Sequence, residues 1–215
     1  MIKAIFFDFD GTISDARDAS FESFVRTLED YKYKFSKKKL RGLLGNKTYV
    51  IFEKLGLDKK YFRSARRRFY RYFTKAVING EIKLCVSVKP LLDMKKDYLL
   101  VVISNSETRF IRASIKKLEL KGLFRKVYGA DRFSSKDKLL KKLFKKFGIK
   151  PLEAVYVGDR FSDVEFARKA GCVAVGIHNK CSWSSLVKIK KEGPGFIIRD
   201  FYGLKKVVGK LNDVE

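Results

Sequence analysis

Histidine is nearly absent. His178 is the only one in 215 residues, which excludes any mechanism or metal site that needs a histidine pair and leaves this one exposed or incidental. Cysteine is scarce as well: Cys85, Cys172 and Cys181 are unevenly spaced and form no metal-binding pair, so free buried thiols in a reducing cytoplasm are expected. No apolar stretch reaches the ~20 residues of a membrane-spanning helix. The amino-terminal apolar run is broken by Asp8, unlike a signal peptide. A cytoplasmic protein with no membrane partner is therefore expected. Glutamine is missing altogether while lysine abounds, as in heat-adapted proteomes. The single tryptophan, Trp183, reads as a packing residue.

What is present is concentrated in a few segments. Ile5-Phe6-Phe7-Asp8-Phe9-Asp10-Gly11-Thr12 is a nearly unbroken apolar run ending in two acids one residue apart, then a glycine and a threonine. A run apolar on both faces suits a central strand of a parallel sheet, and ligands of such sheets bind beyond the strands' carboxyl ends. Alone, the segment could be a strand closing in an Asp-Gly turn. Three later segments argue otherwise. The run 99–103 delivers Ser104 and Asn105, and the run 154–157 delivers Gly158-Asp159-Arg160-Phe161-Ser162-Asp163. Between them, Ser134-Ser135-Lys136-Asp137-Lys138 opens a lysine-rich amphipathic helix.

Together these segments resemble the four motifs of the haloacid dehalogenase superfamily, specifically its phosphatase branch with a helical cap, across residues 8 to 163. The resemblance implies a phosphomonoester hydrolase that acts through a phosphoaspartate on a small phosphorylated metabolite such as a sugar phosphate, phosphoglycolate or nucleotide. It casts Asp8 as nucleophile and Asp10 as acid and base. Ser104, with the Asn105 backbone amide, would bind a phosphoryl oxygen. The metal would be Mg²⁺, held by the Asp8 and Asp159 side chains and the Asp10 backbone carbonyl, with Thr12 and Asp163 in support. Lys136 is the first choice for the charge-balancing lysine and Lys138 the second. The chemistry is coherent in itself: a carboxylate is ionised at neutral pH and needs no base to attack phosphorus, but the anionic substrate then requires a hard cation and fixed positive groups. Carbon–halogen cleavage needs no proton donor, so the second acid at position 10 argues against the dehalogenase branch. A phosphomutase shares all four motifs and stays open as an alternative.

Strands expected near 2–9, 99–104, 126–130, 154–158, 173–177 and 195–199 alternate with helical patterns at 107–118, 136–147, 161–170 and 182–191. This alternation implies an α/β, doubly wound, mostly parallel Rossmann-like sheet, assigned to residues 1–15 and 88–215. The stretch 16–87 breaks the alternation. It reads as consecutive helices at 18–31, 37–44, 48–55 and 59–78 without a convincing strand, an inserted all-helical domain similar to the family's cap. The loop from Arg41 to Lys47 is the expected substrate-touching segment, with Arg41 and Lys47 as binding residues. Its glycines do not make a P-loop, since Gly45 and Lys47 are not adjacent and no strand precedes them.

Lysine and arginine total 49 against 24 acids, a formal net charge of +25. Between Tyr31 and Lys75, 16 basic residues face only Glu53 and Asp58. There Lys59-Lys60-Tyr61-Phe62-Arg63 and Arg66-Arg67-Arg68-Phe69-Tyr70-Arg71-Tyr72-Phe73 interleave bases with aromatics. This raises a rival reading, a nucleic-acid-binding protein or a phosphatase of polynucleotide ends. The favoured reading makes the aromatics the insert's own core and the bases its solvated face, with attraction of small anions as a by-product.

Overall fold

Phe6 and Phe7 are neighbours in one strand and both fully buried, yet they belong to different hydrophobic clusters. Successive strand side chains point to opposite faces, so each face of this sheet must carry its own layer of helices. In the computed structural model, which describes residues 1–213, this is the arrangement found; positions 214 and 215 of the expected 88–215 segment lie outside the described residues.

In chain order the elements are β1 (Ala4–Phe7), β2 (Ser14–Asp15), α1 (Arg17–Asp30), α2 (Lys37–Leu43), α3 (Thr48–Leu55), α4 (Phe62–Ile78), β3 (Lys83–Leu84), α5 (Lys89–Met94) and β4 (Leu99–Ile103). There follow α6 (Thr108–Lys117), β5 (Lys126–Tyr128), α7 (Lys136–Phe147), β6 (Ala154–Gly158), α8 (Phe161–Ala170), β7 (Val173–Ile177), α9 (Leu186–Lys191), β8 (Phe196–Ile198) and α10 (Phe201–Asn212). Six strands form one parallel sheet in the order β5-β4-β1-β6-β7-β8. The chain builds outward from β1 on one side, returns, and builds outward on the other. The resulting switch point lies between β1 and β6, whose carboxyl ends carry Asp8 and Asp159. That crevice is where open α/β sheets bind ligands.

Helix α7 shows how local sequence builds a layer. Leu139, Leu140, Leu143 and Phe144 recur at helical spacing and are buried with Phe6, Val101 and Tyr156, while Lys141, Lys142, Lys145 and Lys146 stay exposed. On the other face, Phe7 meets Phe201 of α10 edge-on at 5.8 Å between ring centroids.

The stretch 16–87 contains the four expected helices, held by their own aromatic core. Phe24 stacks on Phe69 at 4.0 Å and packs against Phe52 at 5.5 Å. Phe73 of α4 stacks on Phe110 of α6 at 3.9 Å, joining this helical segment to the sheet domain. Phe69 and Phe73 are buried while Arg66, Arg67 and Arg71 are exposed, as the packing reading of the basic segment requires. One expectation is corrected: the stretch is not purely helical. Lys83 and Leu84 form β3, which pairs antiparallel with β2 where the chain leaves and re-enters the sheet domain. Two residues are too few to show a period, and their pairing is non-local. Helix α9 also starts at Leu186 rather than at 182, because Ser185 accepts the backbone N–H of Lys188 as its N-cap.

Candidate active site

The strand β1 ends by receiving a hydrogen bond partner for Asp8: the Asp8 N–H donates to the Val157 carbonyl at 2.8 Å, fixing the acid beside the end of β6. Gly11 then turns the chain at φ +90°, and a Cβ there would lie 2.5 Å from Asp159 Oδ2. Only glycine meets both demands, the left-handed backbone and the close carboxylate. Thr12 Oγ1 donates to Asp159 Oδ1 at 3.0 Å, and the Trp183 backbone N–H donates to Asp159 Oδ2 at 2.6 Å. The Arg160 N–H donates to Asp163 Oδ2 at 3.1 Å, anchoring Asp163 in the first turn of α8.

Lys136 closes the cluster. Only 2% exposed, its ammonium donates to Asp8 Oδ1 at 2.9 Å, to Asp163 Oδ1 at 2.7 Å and to the Tyr156 hydroxyl at 2.9 Å. Lys138 is exposed on the outside of the same helix. Burial pulls the Lys136 pKa down, but Asp163 and Asp8 outweigh it and the net shift is upward, so the ammonium is charged at neutral pH. Around it, burial pushes Asp8 up to about 6, opposed by Lys136 and assisted by Asp163. Burial, with repulsion from Asp8 and Asp163, holds Asp159 well above the ordinary carboxylate range.

Asp10 is held from a different direction. Ser106 Oγ donates to Asp10 Oδ2 at 2.6 Å, while Asp10 Oδ1 is buried without a hydrogen-bond partner among the described residues. Ser104 Oγ accepts the Ser106 backbone N–H at 3.1 Å. Asn105 Nδ2 donates to the Gly45 carbonyl at 3.0 Å, tying the loop after β4 to the helical segment. Burial raises the Asp10 pKa to about 7, with the Ser106 hydrogen bond opposing and the Asp8 charge assisting. A folded-state pKa above the unfolded value means that ionising this group destabilises the fold. Its contribution is fully present below 3.8 and is lost as pH rises through about 7. Asp10→Asn, uncharged throughout, escapes that loss. In metal-free protein its stability advantage over wild type, read from urea unfolding, is expected to grow from near zero at about pH 4 to roughly 4 kcal/mol at about pH 8. A gap independent of pH would contradict the buried, repelled state of Asp10.

Carboxylate oxygens of Asp8, Asp159 and Asp163 all lie within 4.8 Å of one another. An oxygen-only, acidic and buried donor set fits a hard divalent cation such as Mg²⁺, and the upward shift of Asp159 marks a cluster short of positive charge. Asp163 is already neutralised by the Lys136 ammonium, whereas Asp159 accepts only from the neutral donors Thr12 and Trp183, so Asp159 suits the cation and Asp163 a supporting place.

The cavity over Asp8 and Asp10 has a volume of about 30 Å³, closed by Gly45, Asn46, Tyr70 and Phe73 from the helical segment and by Trp183 from the sheet domain. The loop 41–47 thus reaches the site through Gly45 and Asn46 rather than through the two cations singled out from sequence. Lys47 donates to the carbonyls of Phe133 and Ser134, each at 2.8 Å, and Arg41 lies 4.0 Å above the Phe21 ring, outside this cavity. Ser106, Tyr156 and Trp183 belong to the site and were not singled out. Ser106 follows the Ser104-Asn105 pair directly, which could have flagged it; Tyr156 and Trp183 carry no local signal.

The chain is similar to known proteins along most of its length. The family model for haloacid dehalogenase-like hydrolases matches residues 5–177. The chain belongs to this family. Among the relatives of haloacid dehalogenase-like hydrolase type, a phosphoglycolate phosphatase of Mannheimia succiniciproducens is 29% identical over 66% of this chain and 65% of its own length. The chain thus aligns with just under two thirds of that relative. PpaX of Caldanaerobacter subterraneus subsp. tengcongensis, a candidate pyrophosphatase by name, is 27% identical over 100% of this chain and 98% of its own. The crystal structure of a predicted phosphoglycolate phosphatase from Haemophilus somnus 129PT superposes with a TM-score of 0.84 at 24% identity, covering 96% of this chain and 98% of that one.

Proposed function

We propose that this haloacid dehalogenase-like protein is a Mg²⁺-dependent phosphomonoester hydrolase that works through a phosphoaspartate on a small phosphorylated metabolite. The supporting observation is Lys136: one buried ammonium joins the acid of the first motif, Asp8, to that of the last, Asp163, beside Asp159. With a pKa of about 6, Asp8 is mostly ionised at neutral pH. Lys136 holds its Oδ1, and its other oxygen attacks phosphorus. The bond to the leaving oxygen breaks with its electron pair on that oxygen, and Asp10 supplies the proton. Asp10 suits this role because its pKa of about 7 keeps a large fraction protonated, while Ser106 fixes Oδ2 and leaves Oδ1 to carry the proton. Water then attacks the phosphoaspartate, Asp10 takes its proton back, and phosphate leaves with Asp8 restored. Ser104 is the expected partner of a phosphoryl oxygen. Mg²⁺, held by Asp8, Asp159 and the Asp10 carbonyl, would neutralise the charge gathered on the transferring phosphoryl group.

A cavity of about 30 Å³ has room for little more than one water, against the ~300 Å³ or more of ordinary ligand sites. Residues 16–87 therefore serve as a cap that must open to admit substrate and close to exclude bulk water. Phosphate release from an aryl phosphate and a panel of phosphorylated metabolites tests the reading. Turnover is expected with Mg²⁺ and lost in EDTA, and Mg²⁺ should also raise the thermal midpoint by neutralising the buried acids. No hydrolysis of any panel member in the presence of Mg²⁺ would overturn it.

A further inference from the structure

Across Trp183 from the catalytic cavity lies a second hollow of about 290 Å³, lined by Arg17, Arg41, Arg160 and Lys188 and by no acid. Trp183 stands in the wall of both. None of the four cations has an ion-pair partner among the described residues. Arg17 donates only to the backbone carbonyls of Cys181 and Ser182, and Arg41 only covers the Phe21 ring. Arg160 is the telling one. The residue is 8% exposed, its guanidinium makes no hydrogen bond among the described residues, and it lies 6.0 Å from the centre of the Phe161 ring. A guanidinium on so buried a side chain is ordinarily paired; here its remaining contact with solvent is through the hollow, where an anion would replace water. Three further like charges around the same space strengthen that preference.

The hollow is also built from both parts of the chain: Arg17 and Arg41 stand on α1 and α2, Arg160 and Lys188 on the sheet domain. Gly45 sets how closely the two meet. At φ +85°, a Cβ there would lie 2.7 Å from Trp183 Cε3 and 2.8 Å from Arg160 Nη1, so the glycine lets the loop close on both.

We propose that this hollow binds a phosphate-class oxyanion at a site separate from the phosphoryl-transfer pocket, and that the anion bridges the helical segment and the sheet domain. Forked guanidinium groups converging from two sides match the several oxygens of such an ion, and the +25 field draws it in. The anion is either a second phosphoryl group of the substrate or a free phosphate. Only the first source rests on the phosphatase reading.

Because Trp183 is the sole tryptophan, its fluorescence reports the site directly. Inorganic phosphate is titrated in EDTA at constant ionic strength, where the unneutralised acids of the catalytic pocket repel it. A saturable emission change is expected in wild type and in Asp8→Asn. In the double variant Arg41→Ala/Lys188→Ala, whose side chains are both exposed, Kd should rise roughly tenfold or more with the thermal midpoint preserved. No saturable change, an equal change with chloride, or an unaltered Kd in the double variant would overturn the proposal, whether or not the protein hydrolyses anything. A kcat/KM loss in the double variant larger for a sugar bisphosphate than for an aryl phosphate identifies the substrate's second phosphoryl group. A response of aryl phosphate turnover to sulfate that the double variant abolishes identifies a free anion; either supports the site.

Discussion

Asp8→Asn is expected to lower kcat for phosphomonoester hydrolysis by roughly four orders of magnitude or more while the protein stays folded. An amide is uncharged and a poor nucleophile, so the route through an acyl phosphate closes, and the remaining groups can only position water. The substitution is nearly isosteric. Lys136 keeps Asp163 and Tyr156 when Asp8 loses its charge, so its ammonium is not left unpaired. Burial already penalises the Asp8 carboxylate, which further limits the cost to stability. Turnover and urea unfolding measured on the same preparation separate the two effects. Activity equal to wild type would remove Asp8 from the mechanism, and loss of activity with loss of fold would make it structural.

The acids and Lys136 were legible because they sit in short segments whose chemistry is local. Asp8, Asp10, Gly11 and Thr12 follow one strand, Gly158 to Asp163 follow another, and the apolar runs before them announce buried parallel strands. The choice of Lys136 over Lys138 was open in sequence because both stand in the first turn of an amphipathic lysine-rich helix. Burial separates them, and burial depends on which helix face meets the sheet. What could not be read was non-local. Trp183 reaches Asp159 from the loop after β7, and Tyr156 lies inside a strand that looks uniformly apolar. Arg41 and Lys47 show that charge alone does not say what a loop cation touches: Lys47 donates to the Phe133 and Ser134 carbonyls, and Arg41 faces the second hollow rather than the pocket over Asp8. The pair β2–β3 was invisible because two-residue strands have no periodicity and find each other only across the whole 16–82 excursion.

Lys136→Met is expected to destabilise the metal-free protein by about 3–5 kcal/mol at neutral pH, whereas Lys138→Met should change it by less than about 0.5 kcal/mol. Surface bookkeeping alone gives the opposite sign for the first, since removing one cation from a chain of net charge +25 relieves repulsion. Position decides. Methionine fills the volume at 136 but leaves Asp8 and Asp163 facing each other, and Asp159, without the ammonium between them. The loss should shrink on acidification, because Asp8 takes up a proton below about pH 6 and the attraction that the ammonium supplied is then worth less. On the alkaline side it should persist, since the Lys136 pKa is raised in the fold and its stabilising contribution is lost only as pH climbs through that raised value. Mg²⁺ should restore part of the lost stability, supplying a cation to the same acids, without restoring turnover. Urea unfolding of both variants at several pH values, with and without Mg²⁺, checks each step. Equal stability of the two variants would mean that the buried ammonium does not hold the acid cluster together.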